Sequence, residues 1–199
     1  MRAAVTREQI VEAADRLFYE QGFEATSFAH IAVETGLSRG NFYYHFKTKD
    51  DILDAVIARR LAATAEMLAA WEAGGETPER RIASFIEILI ANQTKIMAFG
   101  CPVGTLSNEL AKLDHGARQD AARIFALFRD WLAGQFAAMG RADAKDALAL
   151  HVLMRSQGVA TLATAFRDED FVRREVAAMH AWLAAQRPND RAPPSDSAA

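Results

Sequence analysis

From Gly36 to Lys49 the chain reads GLSRGNFYYHFKTK, a stretch dense in groups that donate hydrogen bonds. It carries the hydroxyl of Ser38, the guanidinium of Arg39, the carboxamide of Asn41, the phenols of Tyr43 and Tyr44, the imidazole of His45, and the ammonium groups of Lys47 and Lys49. No Asp or Glu occurs from Thr35 to Lys49, so nothing in the segment neutralises the set. Donors unopposed by carboxylates suit phosphate oxygens, which accept from all of these side-chain types.

Four aromatic rings and a histidine occupy Phe42 to Phe46. A helix that short has no interior for all of them. At helical spacing Leu37, Phe42 and Phe46 fall near one face and can close a small core with Phe18 and Ile31. Tyr43 and Tyr44 then point away, where their hydroxyls need no buried partner. Gly40 leaves room for close approach to the backbone. The knot divides into a plug and a contact face.

Nothing comparable suggests catalysis. No two of the five histidines, His30, His45, His115, His151 and His180, stand three or four residues apart as ligands on one helix would. Neither a glycine-rich phosphate loop nor a nucleophile–base pattern is visible. No catalytic residue, metal site or cofactor is expected. An all-helical enzyme using these histidines with nearby carboxylates is the alternative from another class, and a ligand-independent architectural DNA binder is a second rival.

The elements that must position the contact face follow from the rest of the chain. Its 199 residues are 51% hydrophobic and 25% charged, an ordinary globular composition sufficient for one large or two small domains. The net charge is −3, and residues 1–60 hold 8 Lys and Arg against 9 Asp and Glu, so any positive surface must be a single face. The lone Cys101 excludes an internal disulfide and fits a reducing compartment. With no signal-peptide pattern, and apolar runs interrupted well short of ~20 residues, a cytoplasmic protein without a membrane span is expected.

Apolar residues recur at three and four positions, and β-branched runs are short, which makes the fold class all-α. Thr6 with Gln9 reads as a capping box for a helix ending at Gly22. Thr26 or Ser27 starts a short second helix ending at Gly36, and Ser38 caps a third through about Tyr44. Thr48, followed by Asp50 and Asp51, opens a long helix to about Trp71. Gly74-Gly75 and Thr77-Pro78 mark a break and restart. One helix to about Phe99, a Gly100–Gly104 break, a short helix from Thr105 to Leu113 and three longer helices complete the pattern.

Three short helices with a tight turn between the second and third form a helix-turn-helix layout, whose third helix enters the major groove of DNA. The stretch TSFAHIAVETGLSRGNFYYHFKTKDDIL, Thr26 to Leu53, closely resembles the DNA-binding signature of the TetR family of one-component transcriptional regulators. By that resemblance Thr26, Ser38, Arg39, Gly40, Tyr43, Tyr44, His45 and Lys49 align with DNA-contacting positions. Ser27, Asn41 and Lys47 join the candidate set beside them. The resemblance implies about nine helices: a DNA-binding domain over 1–50, with the helix-turn-helix at about 29–48, and a helical effector-binding and dimerisation domain over 51–186. The tail 187–199, rich in proline, serine and alanine, is expected to be disordered. The implied function is a repressor released from a palindromic double-stranded DNA operator by a small-molecule effector.

For the effector, the middle helices hold more large apolar residues than one face needs. Phe85, Leu89, Phe99, Cys101, Phe125, Phe128 and Trp131 are the candidate lining of a pocket between helices. Cys101, before a short helix in a GCPVG break, offers an alternative switch through modification by an electrophile or oxidant. The last two helices carry apolar residues on more than one side, including Leu148, Leu150, Leu162 and Phe166, then Phe171 and Trp182. Such a pair is expected to meet its copy in a homodimer.

Overall fold

The computed structural model describes residues 2–187, without the side chains of residues 2–5 and of Arg39. Among these residues the chain forms ten α-helices and no strand: α1 (Arg2–Gln21), α2 (Phe28–Glu34), α3 (Arg39–His45), α4 (Lys49–Gly74), α5 (Pro78–Ala91), α6 (Gln93–Phe99), α7 (Pro102–Lys112), α8 (Arg118–Ala138), α9 (Lys145–Phe166) and α10 (Glu169–Ala184). The expected disordered tail, apart from Arg187, lies outside the described residues. Arg187 itself pairs with Glu79 at 2.7 Å.

Side chains adjoining their ends fix the first helices. Gly22 (φ 93°) and Gly36 (φ 63°) follow α1 and α2 in the left-handed region, which glycine enters without steric penalty. Ser27, Ser38 and Thr48 each accept a backbone amide of the helix they start: His30 at 3.0 Å, Asn41 at 3.4 Å and Asp51 at 3.0 Å. Asp51 in turn accepts from the amides of Thr48 (2.9 Å) and Lys47 (3.1 Å), so a capping box sets the direction of α4 directly after α3. The backbone bond from Thr48, with lesser help from its hydroxyl and from the Lys47 amide, holds the Asp51 carboxyl below the usual carboxylate range.

Three boundaries differ from the sequence expectation. Helix α1 begins at Arg2, which puts Thr6 inside it and leaves no cap for Thr6 to make; Ala3 and Ala4, strong helix formers, carry the helix back past that residue. The helix expected from Pro78 to Phe99 breaks at Asn92 (φ −112°, ψ 14°), whose side-chain amide donates to the Ile88 carbonyl at 3.2 Å. That break makes α5 and α6 two helices. Helix α7 opens at Pro102, three residues early, because proline fits the first helical position and the Cys101 sulfur accepts from the Gly104 amide at 3.5 Å.

Two apolar cores result. The first joins Ile10, Ala14, Leu17 and Phe18 of α1, Ile31 of α2, Phe42 and Phe46 around α3, and Ile52, Leu53, Val56 and Ile57 of α4. Leu106 and Leu110 of α7 and Ala117 and Ala121 at the start of α8 also bury into it. The second fills the bundle of α5, α8, α9 and α10 with Ile82, Phe85, Phe128, Leu132, Phe136, Val152, Val176 and Met179. Helix α4 runs through both, and Leu61 touches each.

Candidate functional site

The aromatic knot separates as its spacing requires. Phe42 and Phe46 are 0% and 3% exposed, with Phe28 edge-on to Phe42 at 4.8 Å, whereas Tyr43 is 39% and Tyr44 73% exposed. Tyr43 leans on Phe28 at 5.1 Å and Tyr44 meets the His45 ring edge-on at 5.1 Å, so both phenols are braced from behind while facing outward. Gly40 and Asn41 are exposed on the same short helix, and a Cβ built at Gly40 would meet nothing within 4 Å. Lys47 is exposed, with its ammonium donating to the Tyr43 carbonyl at the end of α3. Ser27 and Ser38 are exposed caps at the starts of α2 and α3. Arg39 begins α3; its side chain lies outside the described residues.

Two candidates are not on that face. Thr26 is fully buried, and its hydroxyl donates to the Gly22 carbonyl at 2.7 Å. It holds the α1–α2 turn and presents nothing to a molecule lying on the surface. Lys49 sends its ammonium inward, donating to the Phe23 carbonyl at 2.9 Å and standing 4.1 Å over the Phe23 ring. Conversely, Arg7 was not anticipated. Arg7 is exposed, and its guanidinium lies 4.9 Å over the Phe46 ring at the end of α3. No spacing rule connects residues 39 apart, so only the packing of α1 on α3 reveals it.

The apolar candidates of the bundle do not gather around one space. Phe85 and Leu89 are buried in the second core, with Phe128 edge-on to Phe85 at 5.4 Å. Trp131 packs on Trp71 at 5.7 Å and donates its indole N–H to Glu72 at 3.0 Å. Phe99 lies edge-on to Tyr19 at 5.5 Å. Cys101 is half-buried beside α7. Phe125 lines an open trough of about 630 Å³ between α8 and α9 with Ala147, Leu150, His151, Leu153, Met154 and Gln157. Helical spacing counted large apolar residues correctly but could not say which are consumed by neighbours.

The apolar residues of α10 are also consumed internally: Val172, Val176, Met179 and Leu183 are buried, and its outer face shows Arg173, Arg174, Ala177, Ala178 and Ala181. Helix α9 keeps an unburied ridge, with Leu150, Met154, Leu162 and Phe166 exposed at multiples of four residues and Gly158 between them.

A short capped helix with outward phenols, set by a turn against a second helix and closed underneath by Phe42 and Phe46, is a helix-turn-helix DNA-binding head carried on a helical bundle. Residues 10–56 match the family described as "Bacterial regulatory proteins, tetR family". The chain is 29% identical over 136 residues, 67% of its length and 69% of the relative's, to the uncharacterized HTH-type transcriptional regulator in the lacX 3′ region of Lactococcus lactis subsp. lactis. It is 42% identical over 57 residues to the HTH-type transcriptional repressor BepR of Brucella suis biovar 1, a match covering 29% of this chain and 27% of that protein. The crystal structure of a TetR transcriptional regulator from Chloroflexus aurantiacus has the same fold, with a TM-score of 0.80 and 22% identity over 92% of this chain and 97% of that one. Residues 10–56 thus carry the DNA-binding domain of TetR-family helix-turn-helix regulators, and the whole chain shares the fold of a solved member of that family.

Proposed function

We propose that the protein is a repressor that binds a palindromic operator as a homodimer and leaves it when a small apolar molecule binds the bundle. The observation that carries this reading is the outward face of α3: Tyr44 at 73% and Tyr43 at 39% exposure, with no carboxylate from Thr35 to Lys49. Tyr43, Tyr44, Ser38, Gly40, Asn41, His45 and Lys47, with Ser27 and Arg39, are the contact set. Buried Thr26 is a support, and Lys49 acts through the α1–α2 turn. Exposed Leu162 and Phe166, the part of the α9 ridge outside the trough, together with the small-residue face of α10, support pairing of the last two helices with their copies. Such a pair sets two recognition helices about 34–36 Å apart, one turn of DNA. The α8–α9 trough supports an apolar effector, and a cytoplasmic location follows from the chromosomal target. In the described residues no single helix is long and apolar enough to cross a membrane.

Fluorescence anisotropy on the DNA upstream of the protein's own gene, beside a shuffled duplex and over a salt series, tests the reading. Expected are tight binding to the first alone, a stoichiometry of two chains per duplex, and a steep fall of log affinity with log salt. Absence of binding to both duplexes at low salt would refute it.

A further inference from the structure

We propose that Glu109 is a positioning residue for DNA binding: its carboxylate grips the α1–α2 turn and fixes how the α2–α3 unit is held against the bundle. The proposal rests on the functional reading above and names the group by which the bundle holds the head.

Both carboxylate oxygens of Glu109, on α7, are used on two successive backbone amides. Oε2 accepts from Phe23 and Oε1 from Glu24, each at 2.9 Å. An ionised carboxylate is an acceptor only, so one side chain satisfies two amides of a turn that has no helical partner for them. Gly22 makes the approach possible, since a Cβ there would stand 3.0 Å from Glu109 Oε1 and its φ of 93° is a glycine conformation. The opposite side of the same turn is held by Lys49, whose ammonium takes the Phe23 carbonyl at 2.9 Å and approaches the Glu24 carbonyl at 3.5 Å. The turn is therefore gripped by its amides from α7 and by its carbonyls from the first residue of α4. Four residues after Glu24 the chain enters α2, and the Thr26 hydroxyl locks that exit to Gly22.

Helix α7 can transmit position because it is itself fixed at several points. Leu106 and Leu110 are buried in the first core, and Arg60, paired with Asp15 at 2.7 Å, donates to the Pro102 carbonyl at 2.6 Å. Towards the bundle, Gly104 lies so close to Gln157 of α9 that a Cβ there would stand 2.5 Å from its Oε1. Gln157 also lines the α8–α9 trough. One helix thus touches the wall of the trough with Gly104 and the entry to the DNA-contacting helices with Glu109.

Glu109→Gln keeps the size but offers one oxygen, and its NH2 opposes the second amide. The test uses the full chain and both duplexes above, with Glu66→Gln, exposed on α4, as control. Glu109→Gln is expected to lower affinity for the upstream duplex about tenfold, while shuffled-duplex affinity and the salt slope stay at wild-type values, because no phosphate contact is removed. Glu109→Asp, which keeps the charge but retracts the oxygens, is expected to do the same. Amide exchange supplies a second readout: in the wild type the Phe23 and Glu24 amides exchange more slowly than that of Ala25, and Glu109→Gln abolishes the difference. Wild-type affinity in both variants, or an equal loss on both duplexes, overturns the proposal. So does unprotected exchange at Phe23 and Glu24 in a wild type that binds DNA, which needs no variant to fold. A wild type that binds neither duplex overturns the functional reading itself, and the role assigned to the grip with it.

Discussion

The knot at Phe42–Phe46 can be dissected by two alanine substitutions, two positions apart and opposite in effect. Phe42 is fully buried and meets Phe28 edge-on at 4.8 Å. Phe42→Ala removes a ring from a closed core, a change that costs about 3–5 kcal/mol, of which the edge-to-face contact accounts for roughly 0.5–1.5 kcal/mol. With a urea dependence of about 2 kcal/mol per molar, the midpoint for unfolding of the head moves down by about 2 M. Tyr44, 73% exposed, buries little, and Tyr44→Ala should change stability by no more than about 0.5 kcal/mol. Its loss appears on DNA. One phenol donating to the duplex is worth about 1 kcal/mol, about fivefold, and about thirtyfold when both heads of a dimer lose it. Urea titration followed by circular dichroism measures the first quantity and operator anisotropy the second. The reasoning fails if Tyr44→Ala unfolds the head as far as Phe42→Ala does, or if Tyr44→Ala leaves both stability and operator binding intact.

Three other outcomes follow from the geometry. Thr26→Val removes the hydroxyl that donates to Gly22 and should cost about 1 kcal/mol of stability while weakening operator binding less than Tyr44→Ala does; a larger binding loss at unchanged melting temperature would restore Thr26 as a contact. Gly100→Ala forces a left-handed residue (φ 84°) to carry a Cβ 2.7 Å from the Thr105 methyl, and denaturant titration should show a loss of about 1–3 kcal/mol. The Tyr19 phenol, donating to the Gly100 carbonyl at 2.8 Å, is pushed up to about 12 by burial, with Cys101 adding to the rise and Arg60 opposing it. A raised phenol favours its neutral form in the folded chain, so this stabilisation is intact below the ordinary value of about 10 and is lost as pH climbs from there towards about 12. Tyr19→Phe should flatten that alkaline limb of the stability profile.

Some features were set by sequence-local physics. Ser27, Ser38 and Thr48 each cap the helix that follows them, and Gly22 and Gly36 stop α1 and α2, because these bonds and conformations involve residues no more than a few positions apart. The inward and outward halves of Phe42–Phe46 were legible for the same reason: a helix has one period, and a phenol avoids a buried site without a partner. The break at Asn92 is invisible in the sequence, because a side chain competing for the Ile88 carbonyl leaves no mark in hydrophobic spacing.

What depended on distant partners could be decided only by the assembled chain. Thr26 and Lys49 read as outward groups until the Gly22 and Phe23 carbonyls claimed them. Phe85 and Phe128 read as pocket lining until they met each other, and Arg7 had no visible role until α1 placed it over Phe46. Glu109 sits 85 residues from the amide of Glu24 that it accepts. Short-range periodicity sets which way a side chain leaves its own helix, whereas the group waiting there belongs to another helix, and packing alone brings the two together.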